Sequence, residues 1–279
     1  MREEIAAVTT GPRGLLARTA TRLRGAIGTL LRPRRSRIPR PEIRAIALST
    51  AVIVLVLLIV AFLFDSFAIT GSRSFPAWAR VFFAEITDFG KGAWFLYPLG
   101  IFIILIALVP PNLPRSAQLV LDSVMARAGF LFLAIALPGL IVSILKRLIG
   151  RARPFVTGIA DPYAFAPFSW KVEYASLPSG HATTAFAAVI AISVLWPRAR
   201  PVMLIYAVLI AISRIVVSAH HPTDVMAGAL AGALGAILVR DFFAARRIVF
   251  GVTPQGTISV FPGPSWRRIK RALRAVLAD

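Results

Sequence analysis

Apolar and polar positions in this chain sort into long blocks rather than into a period of 2 or 3.6 residues. Ala45–Phe64 is almost unbroken aliphatic sequence, and Ala93–Val109, Ala128–Leu145, Ala182–Trp196, Val202–Val217 and Val225–Val239 repeat the pattern. A helix needs roughly 20 residues to cross a hydrocarbon core of about 30 Å. The blocks therefore predict an all-α integral membrane protein, a bundle of six transmembrane helices. Pro110-Pro111-Asn112-Leu113-Pro114-Arg115 ends the second block sharply, because proline lacks the N–H and fixes φ. Pro138 and Gly139 place a kink in the third block. Ala227-Gly228, Ala231-Gly232 and Gly235 give the sixth block a small-residue face that another helix can approach closely.

Two mixed segments interrupt the blocks. Asp65–Lys91 is expected outside the membrane as an interfacial helix carrying Trp78, Phe82 and Phe83. Phe155–Leu177, rich in proline and aromatic residues and including Trp170, is expected to lie at the interface as a lid or vestibule.

Composition agrees with the blocks: the chain is 57% hydrophobic, with a mean hydropathy of +0.76. The formal net charge of +20 changes the picture more. Basic residues crowd into the first 44 residues, the last 40 and the short breaks, and eleven arginines precede Ala45. Positive charge beside a span marks the cytoplasmic side and favours anionic lipid head groups. The expected organisation is a basic cytoplasmic tail over 1–44, a membrane domain over 45–240, and a second basic cytoplasmic tail over 241–279 in a bacterial inner membrane. A short amphipathic helix around Leu15–Leu31 and a small strand at Ile258–Phe261 are the structure expected of the tails. No groove-reading helix or aromatic platform accompanies the charge, so nucleic acid is not an expected partner. The chain has no cysteine, which excludes disulfides and thiolate metal sites.

Three polar islands carry the candidate chemistry, and they hold all three histidines of the chain. Under the six-span topology each falls at the outer ends of spans, at the membrane–water interface. The first, Lys146–Pro154, puts Lys146, Arg147, Arg151 and Arg153 on the side where positive charge is usually sparse, which calls for an anionic partner such as phosphate. Arg153 suits a bidentate grip on a phosphoryl group and Lys146 a point charge. Their spacing of seven residues would put both on one helix face if the helix continued that far.

The second island, Pro178-Ser179-Gly180-His181, opens the fourth span. Ser179 and Gly180 sit in the cap region, where free N–H groups favour an anion, and His181 stands beside it with a proton to give. The third runs from Ser213 to Asp224. His220 and Asp224, four apart, read as a nucleophile and the carboxylate that orients it on one helix face, and Arg214 adds a phosphate donor.

In order and spacing the islands read Lys-x6-Arg-Pro, Pro-Ser-Gly-His and Ser-Arg-x5-His-x3-Asp. The stretch from about Ile43 to Arg240 thereby resembles the type 2 phosphatidic acid phosphatase family. The resemblance implies a phosphatase of membrane lipid phosphates or diphosphates that works through a phosphohistidine, without metal or other cofactor. His220 would attack phosphorus, oriented by Asp224, and His181 would protonate the leaving oxygen and later activate water. Lys146, Arg153, Ser179, Gly180 and Arg214 would hold the phosphoryl oxygens. His221 fills a variable position and receives no role. No Asp/Glu/His cluster with metal-ligand spacing is present. Undecaprenyl diphosphate, phosphatidic acid, phosphatidylglycerophosphate and lipid A phosphates are all compatible substrates. Transfer to another lipid or sugar acceptor, and a non-catalytic lipid-phosphate binder or transporter, are the competing readings.

Overall fold

Where the helices start and stop follows proline, glycine and charge more than the apolar blocks. A computed structural model describes residues 12–39, 41–110, 112–159 and 161–278. The first eleven residues of the expected basic tail lie outside them. The helices are α1 (Pro12–Leu30), α2 (Ile43–Val60), α3 (Ser66–Ser72), α4 (Ala77–Asp88), α5 (Ala93–Leu108), α6 (Arg115–Ile149), α7 (Gly180–Leu195), α8 (Arg200–Val216), α9 (Pro222–Ala245) and α10 (Trp266–Leu277). Strands β1 (Phe250–Val252) and β2 (Ile258–Val260) form one antiparallel pair.

Five stretches are long and apolar enough to cross a membrane: Ile43–Ser72, Ala77–Leu108, Arg115–Ile149, Pro197–Val216 and Pro222–Ala245. α7 is apolar but only 16 residues long. Of the six membrane helices expected, five are matched among the described residues by stretches long enough to cross, and the fourth expected block is the shorter helix α7.

Three boundaries differ from the sequence expectation. The first span does not end at Phe64; a π-helical turn, Ala61–Asp65, carries it on into α3. The third is far longer than Ala128–Leu145, because Arg115 starts α6 directly after Pro114 and Pro138 is accommodated inside it. The second starts well before the expected Ala93, because helix α4, in the segment where a separate interfacial helix was expected, belongs to the candidate span Ala77–Leu108.

The described chain divides into two compact units. One comprises Met1–Ile38, Tyr97–Phe132 and Arg240–Asp279. Here Ile106, Leu113, Val120, Leu121 and Met125 pack with Ala272 of α10, and Leu23, Ile269 and Val276 cover them. Arg22 donates to the carbonyls of Ile106 and Pro110, both at 2.9 Å, and so satisfies acceptors at the C-terminal end of α5. Phe130 meets Phe243 and Phe250 edge-on at 5.5 and 4.8 Å. The amphipathic helix and small strand expected of the basic tails are both present. The partner strand β1 and helix α10 were not foreseen.

The other unit comprises Pro39–Leu96 and Leu133–Val239. Its helices α7 and α9 touch backbone to side: a Cβ on Gly228 would stand 2.4 Å from the Ser179 carbonyl oxygen, and one on Gly232 would stand 2.2 Å from that of Thr183. The small-residue face read from the sequence is the contact surface. Ala185, Val189, Ala207 and Ile210 join α7 to α8. All three polar islands fall in this unit.

Candidate active site

The local chain path of each island places its polar atoms. α6 ends at Ile149 because Gly150 turns left-handed, with φ of 65°. Any larger residue there would be strained, and its Cβ would overlap the Ala166 carbonyl, 1.8 Å away. Arg151 then pairs with Phe165 in an extended bridge. Lys146 and Arg153 therefore do not share a helix face as their spacing suggested; the helix stops between them. They nonetheless stay within electrostatic reach of each other.

Arg151 is the largest correction. The sequence counted it among the cations awaiting phosphate, but its partners are inside the protein. Its Nη1 donates to Asp224 Oδ1 at 2.6 Å and to Thr223 Oγ at 2.7 Å, its Nη2 to Asp65 Oδ2 at 2.7 Å, and its Nε to the Pro162 carbonyl at 2.9 Å. Burial works against this charge, yet Asp224 and Asp65 override it and raise its pKa. Arg147 is likewise engaged, donating to the carbonyls of Trp170 and Lys171. Among the described residues Lys146, Arg147, Arg153 and Arg214 are the island cations without a carboxylate salt bridge, and of these Arg147 is held by backbone carbonyls.

Asp65 went unnoticed in the sequence. No residue of α2 is buried, whereas Asp65 at the end of the π-helical turn is fully buried. It accepts from the Thr223 amide at 3.0 Å and from the Thr223 hydroxyl, in the first turn of α9. A carboxylate there satisfies an orphan amide and suits the positive end of the helix.

Ser179 is the N-cap of α7, as expected, but its hydroxyl makes no cap bond. Its amide donates to the Asp224 carbonyl at 2.9 Å, which ties the start of α7 to the start of α9. Ser179 Oγ, Arg153 Nε and Arg214 Nε are buried without a hydrogen-bond partner among the described residues. A Cβ on Gly180 would stand 3.3 Å from Lys146 Nζ, so the lysine reaches the first turn of α7. His181 lies among the charges of Arg214, Lys146 and Lys91, close to His220. On its other side Gly90 touches it, where an added Cβ would stand 2.9 Å from His181 Cδ2.

Between the end of α8 and the start of α9 the third island is a turn rather than a helix. Ser218 is left-handed, with φ of 52°, and the amides of Ala219 and His220 both donate to the Arg214 carbonyl at 3.0 and 3.3 Å. Helix α9 starts at Pro222, so His220 precedes it and does not share a helix face with Asp224. The turn still brings them together, His220 Nδ1 standing 3.7 Å from Asp224 Oδ2. That is a charge contact, too long for a hydrogen bond.

Asp224 Oδ2 instead accepts from Ser176 Oγ at 2.5 Å and from the His221 amide at 2.9 Å. The ring of His221 is fully buried, with Nδ1 3.4 Å from the same oxygen, but neither ring nitrogen has a hydrogen-bond partner among the described residues, so this variable motif position serves the carboxylate through its amide. Arg214 Nη1 donates to Thr87 Oγ at 2.7 Å. Burial pulls the pKa of His220 down to about 4, against the opposing pull of Asp224. Its imidazole is therefore uncharged at neutral pH. Among the described residues, no three or more His, Cys, Asp or Glu side chains converge in a metal-holding group.

All eight predicted site residues are thus in one neighbourhood. Asp65, Thr87, Ser176 and Arg151 in its structural role were missed. A lone aspartate at the end of an aliphatic block was a usable signal, since a buried carboxylate demands a cationic partner. Ser176 and Thr87 carry no such signal.

Residues 127–248 match the model of the PAP2 superfamily. The chain is 33% identical to the lipid A 1-phosphatase of Rhizobium johnstonii over 196 residues, which cover 70% of this chain and 79% of that one. It is 32% identical to the lipid A 1-phosphatase of Rhizobium etli over the same length, covering 70% and 83%. Two crystal structures are also similar. LpxE of Aquifex aeolicus has a TM-score of 0.45 and 26% identity, with 61% of this chain and 90% of that one covered. A transmembrane PAP2 type phosphatidylglycerolphosphate phosphatase from Bacillus subtilis has a TM-score of 0.48 and 22% identity, with 69% and 94% covered.

Apolar helices carrying a histidine–carboxylate pair within a cluster of lysine and arginine make this a membrane-bound phosphatase of lipid phosphates. The chain belongs to the PAP2 superfamily.

Proposed function

We propose that the chain removes phosphate from lipid A through a phosphohistidine on His220. The observation that carries the chemistry is the neutral, buried His220, with Nδ1 facing Ser176 and Asp224 and its other ring nitrogen left over for attack. The lipid A 1-phosphatases at 33% and 32% identity support the substrate class. Lys146, Arg153, Arg214 and the Ser179–Gly180 turn hold the phosphoryl oxygens, and the three partnerless donors at Arg153, Ser179 and Arg214 are then satisfied.

In the first half-reaction the bond from His220 Nε2 to phosphorus forms as the bond from phosphorus to the lipid oxygen breaks, and His181 gives that oxygen a proton. In the second, His181 takes a proton from water, the water oxygen attacks phosphorus, and the N–P bond breaks to release phosphate. Catalysis of this kind rests on positioning and on charge stabilisation of the transferring group.

The site faces the outer leaflet in this reading, with both termini cytoplasmic and the basic tails against anionic lipid. The short α7 supports it as a sixth span. At 1.5 Å per residue its length is about 24 Å, less than the hydrocarbon core, so its Ser179 end would stop near the head-group boundary where a lipid phosphate lies.

The test is phosphate release, with chelator present, from detergent-dispersed lipid A, phosphatidic acid, phosphatidylglycerophosphate and undecaprenyl diphosphate. Native protein is expected to prefer lipid A, and His220→Ala to lose at least about a thousandfold in rate. Preference for another lipid would overturn the substrate. Equal release by the variant would overturn the phosphohistidine, and release only on adding a second lipid would mark a phosphotransferase.

A further inference from the structure

We infer that Ser176, rather than Asp224 directly, positions His220 and selects the tautomer in which Nδ1 is protonated and Nε2 is free to attack. The inference rests on the phosphohistidine reading and deepens it.

Ser176 lies in the loop that leads to the Pro-Ser-Gly-His island and is completely buried. Its amide donates to the Arg151 carbonyl at 3.1 Å, and Arg151 in turn grips Asp224, so serine and carboxylate hang on one residue. The side-chain bonds then follow from a count of protons. Asp224 takes donors at both oxygens: Arg151 at Oδ1, and Ser176 Oγ and the His221 amide at Oδ2. An ionised carboxylate only accepts, so the single hydroxyl proton of Ser176 must point to Asp224 at 2.5 Å. The serine oxygen is left with lone pairs. His220 Nδ1 stands 3.4 Å from it, closer than the 3.7 Å to Asp224 Oδ2. Across that contact only Nδ1 can be the donor. Nδ1 therefore carries the proton of the neutral ring, and Nε2 carries the lone pair. At 3.4 Å the bond is loose, as catalytic bonds often are before substrate tightens them.

The relay also explains how the carboxylate serves the reaction without touching the ring. When Nε2 bonds to phosphorus the imidazole becomes positive. Nδ1–H donates to Ser176, Ser176 donates to Asp224, and no proton leaves Nδ1. Polarised chains of this kind strengthen as charge develops at one end.

The experiment uses full-length protein in detergent. The chain has only three histidines, so [15N]histidine NMR resolves them with the help of His181→Gln and His221→Gln. Native His220 is expected as the Nδ1–H tautomer at neutral pH, and Ser176→Ala as a mixture of tautomers. On detergent-dispersed lipid A, Ser176→Ala is expected to lower kcat at least about tenfold with KM unchanged, and Ser176→Thr, which keeps the hydroxyl, to restore it. An Nε2–H tautomer in native protein would overturn the inference, as would native kcat in Ser176→Ala. The tautomer is read on native protein, so a variant that fails to fold does not spoil the test. Activity surviving in His220→Ala would instead sink the underlying phosphohistidine reading and is scored separately.

Discussion

At the scale of single residues, the site trades stability for chemistry. His220 is buried where an imidazolium is costly, and its pKa falls to about 4 instead of the ordinary value near 6.5. The proposed nucleophile is thus uncharged throughout the neutral range. The unfolded chain binds a proton at this position below about pH 6.5 and the folded chain only below about 4, so folding stability rises with pH across that window. In native protein the His220 NMR signal is expected to titrate near pH 4; a midpoint near 6.5 would contradict the burial argument. Gly90 makes a second residue-level prediction. A methyl there would press on His181 Cδ2 at 2.9 Å and on Ile210 Cγ2 at 2.8 Å. Both neighbours are side chains, so Gly90→Ala is expected to fold with a nearly native melting temperature. Displacing His181 from its place should still cost about tenfold or more in kcat, since small misplacements of a catalytic group are expensive. Native kcat in this variant would show that the imidazole has room to spare.

At the scale of elements, one π-helical turn does what the apolar pattern could not foretell. Asp65 closes the turn Ala61–Asp65 and is buried against Arg151 and Thr223, and π-turns are frequent at functional sites. Asp65→Ala would strand Arg151 and the Thr223 amide. The expected destabilisation is about 3–5 kcal/mol, the usual cost of removing one partner of a buried pair. Thermal unfolding in detergent measures it, and a loss below about 1 kcal/mol would mean that Arg151 finds another acceptor. Asp65 also marks how far the sequence could be read. The ordered motifs were legible because lysine, arginine and histidine are rare in apolar sequence and their spacings are distinctive. The small-residue stripe of α9 was legible for the same reason. Ser176 and Thr87 were not, because a serine or threonine in a loop or helix end is commonplace until its partners are known. Arg151 was legible as a cation but misread in role, since a sequence does not display the two carboxylates that fold against it. Helix α10 was missed because its arginines hid the apolar face of Ile269, Ala272 and Val276 within a basic run.

At the scale of the whole molecule, the decisive question is which side of the membrane holds the site. Eleven arginines precede the first span, and the last 40 residues are basic again. The positive-inside rule predicts both tails in the cytoplasm, which would require an even number of crossings. The five full-length candidates are an odd number, and they satisfy the rule only if short α7 crosses as well. Six crossings would put the C-terminal ends of α6 and α8 and the N-terminal ends of α7 and α9 on the outer side, the ends that carry Lys146, Arg214, His181 and Asp224. Topology and site location are therefore a single prediction. An alkaline phosphatase fused after Asp279 is expected to be inactive and a fluorescent protein at the same point to fluoresce, while alkaline phosphatase inserted between Pro162 and Trp170 is expected to be active. An active phosphatase after Asp279 would mean an odd number of crossings. With an inactive loop fusion beside it, that result would move the phosphate site to the cytoplasmic leaflet and limit its substrates to lipids presented there.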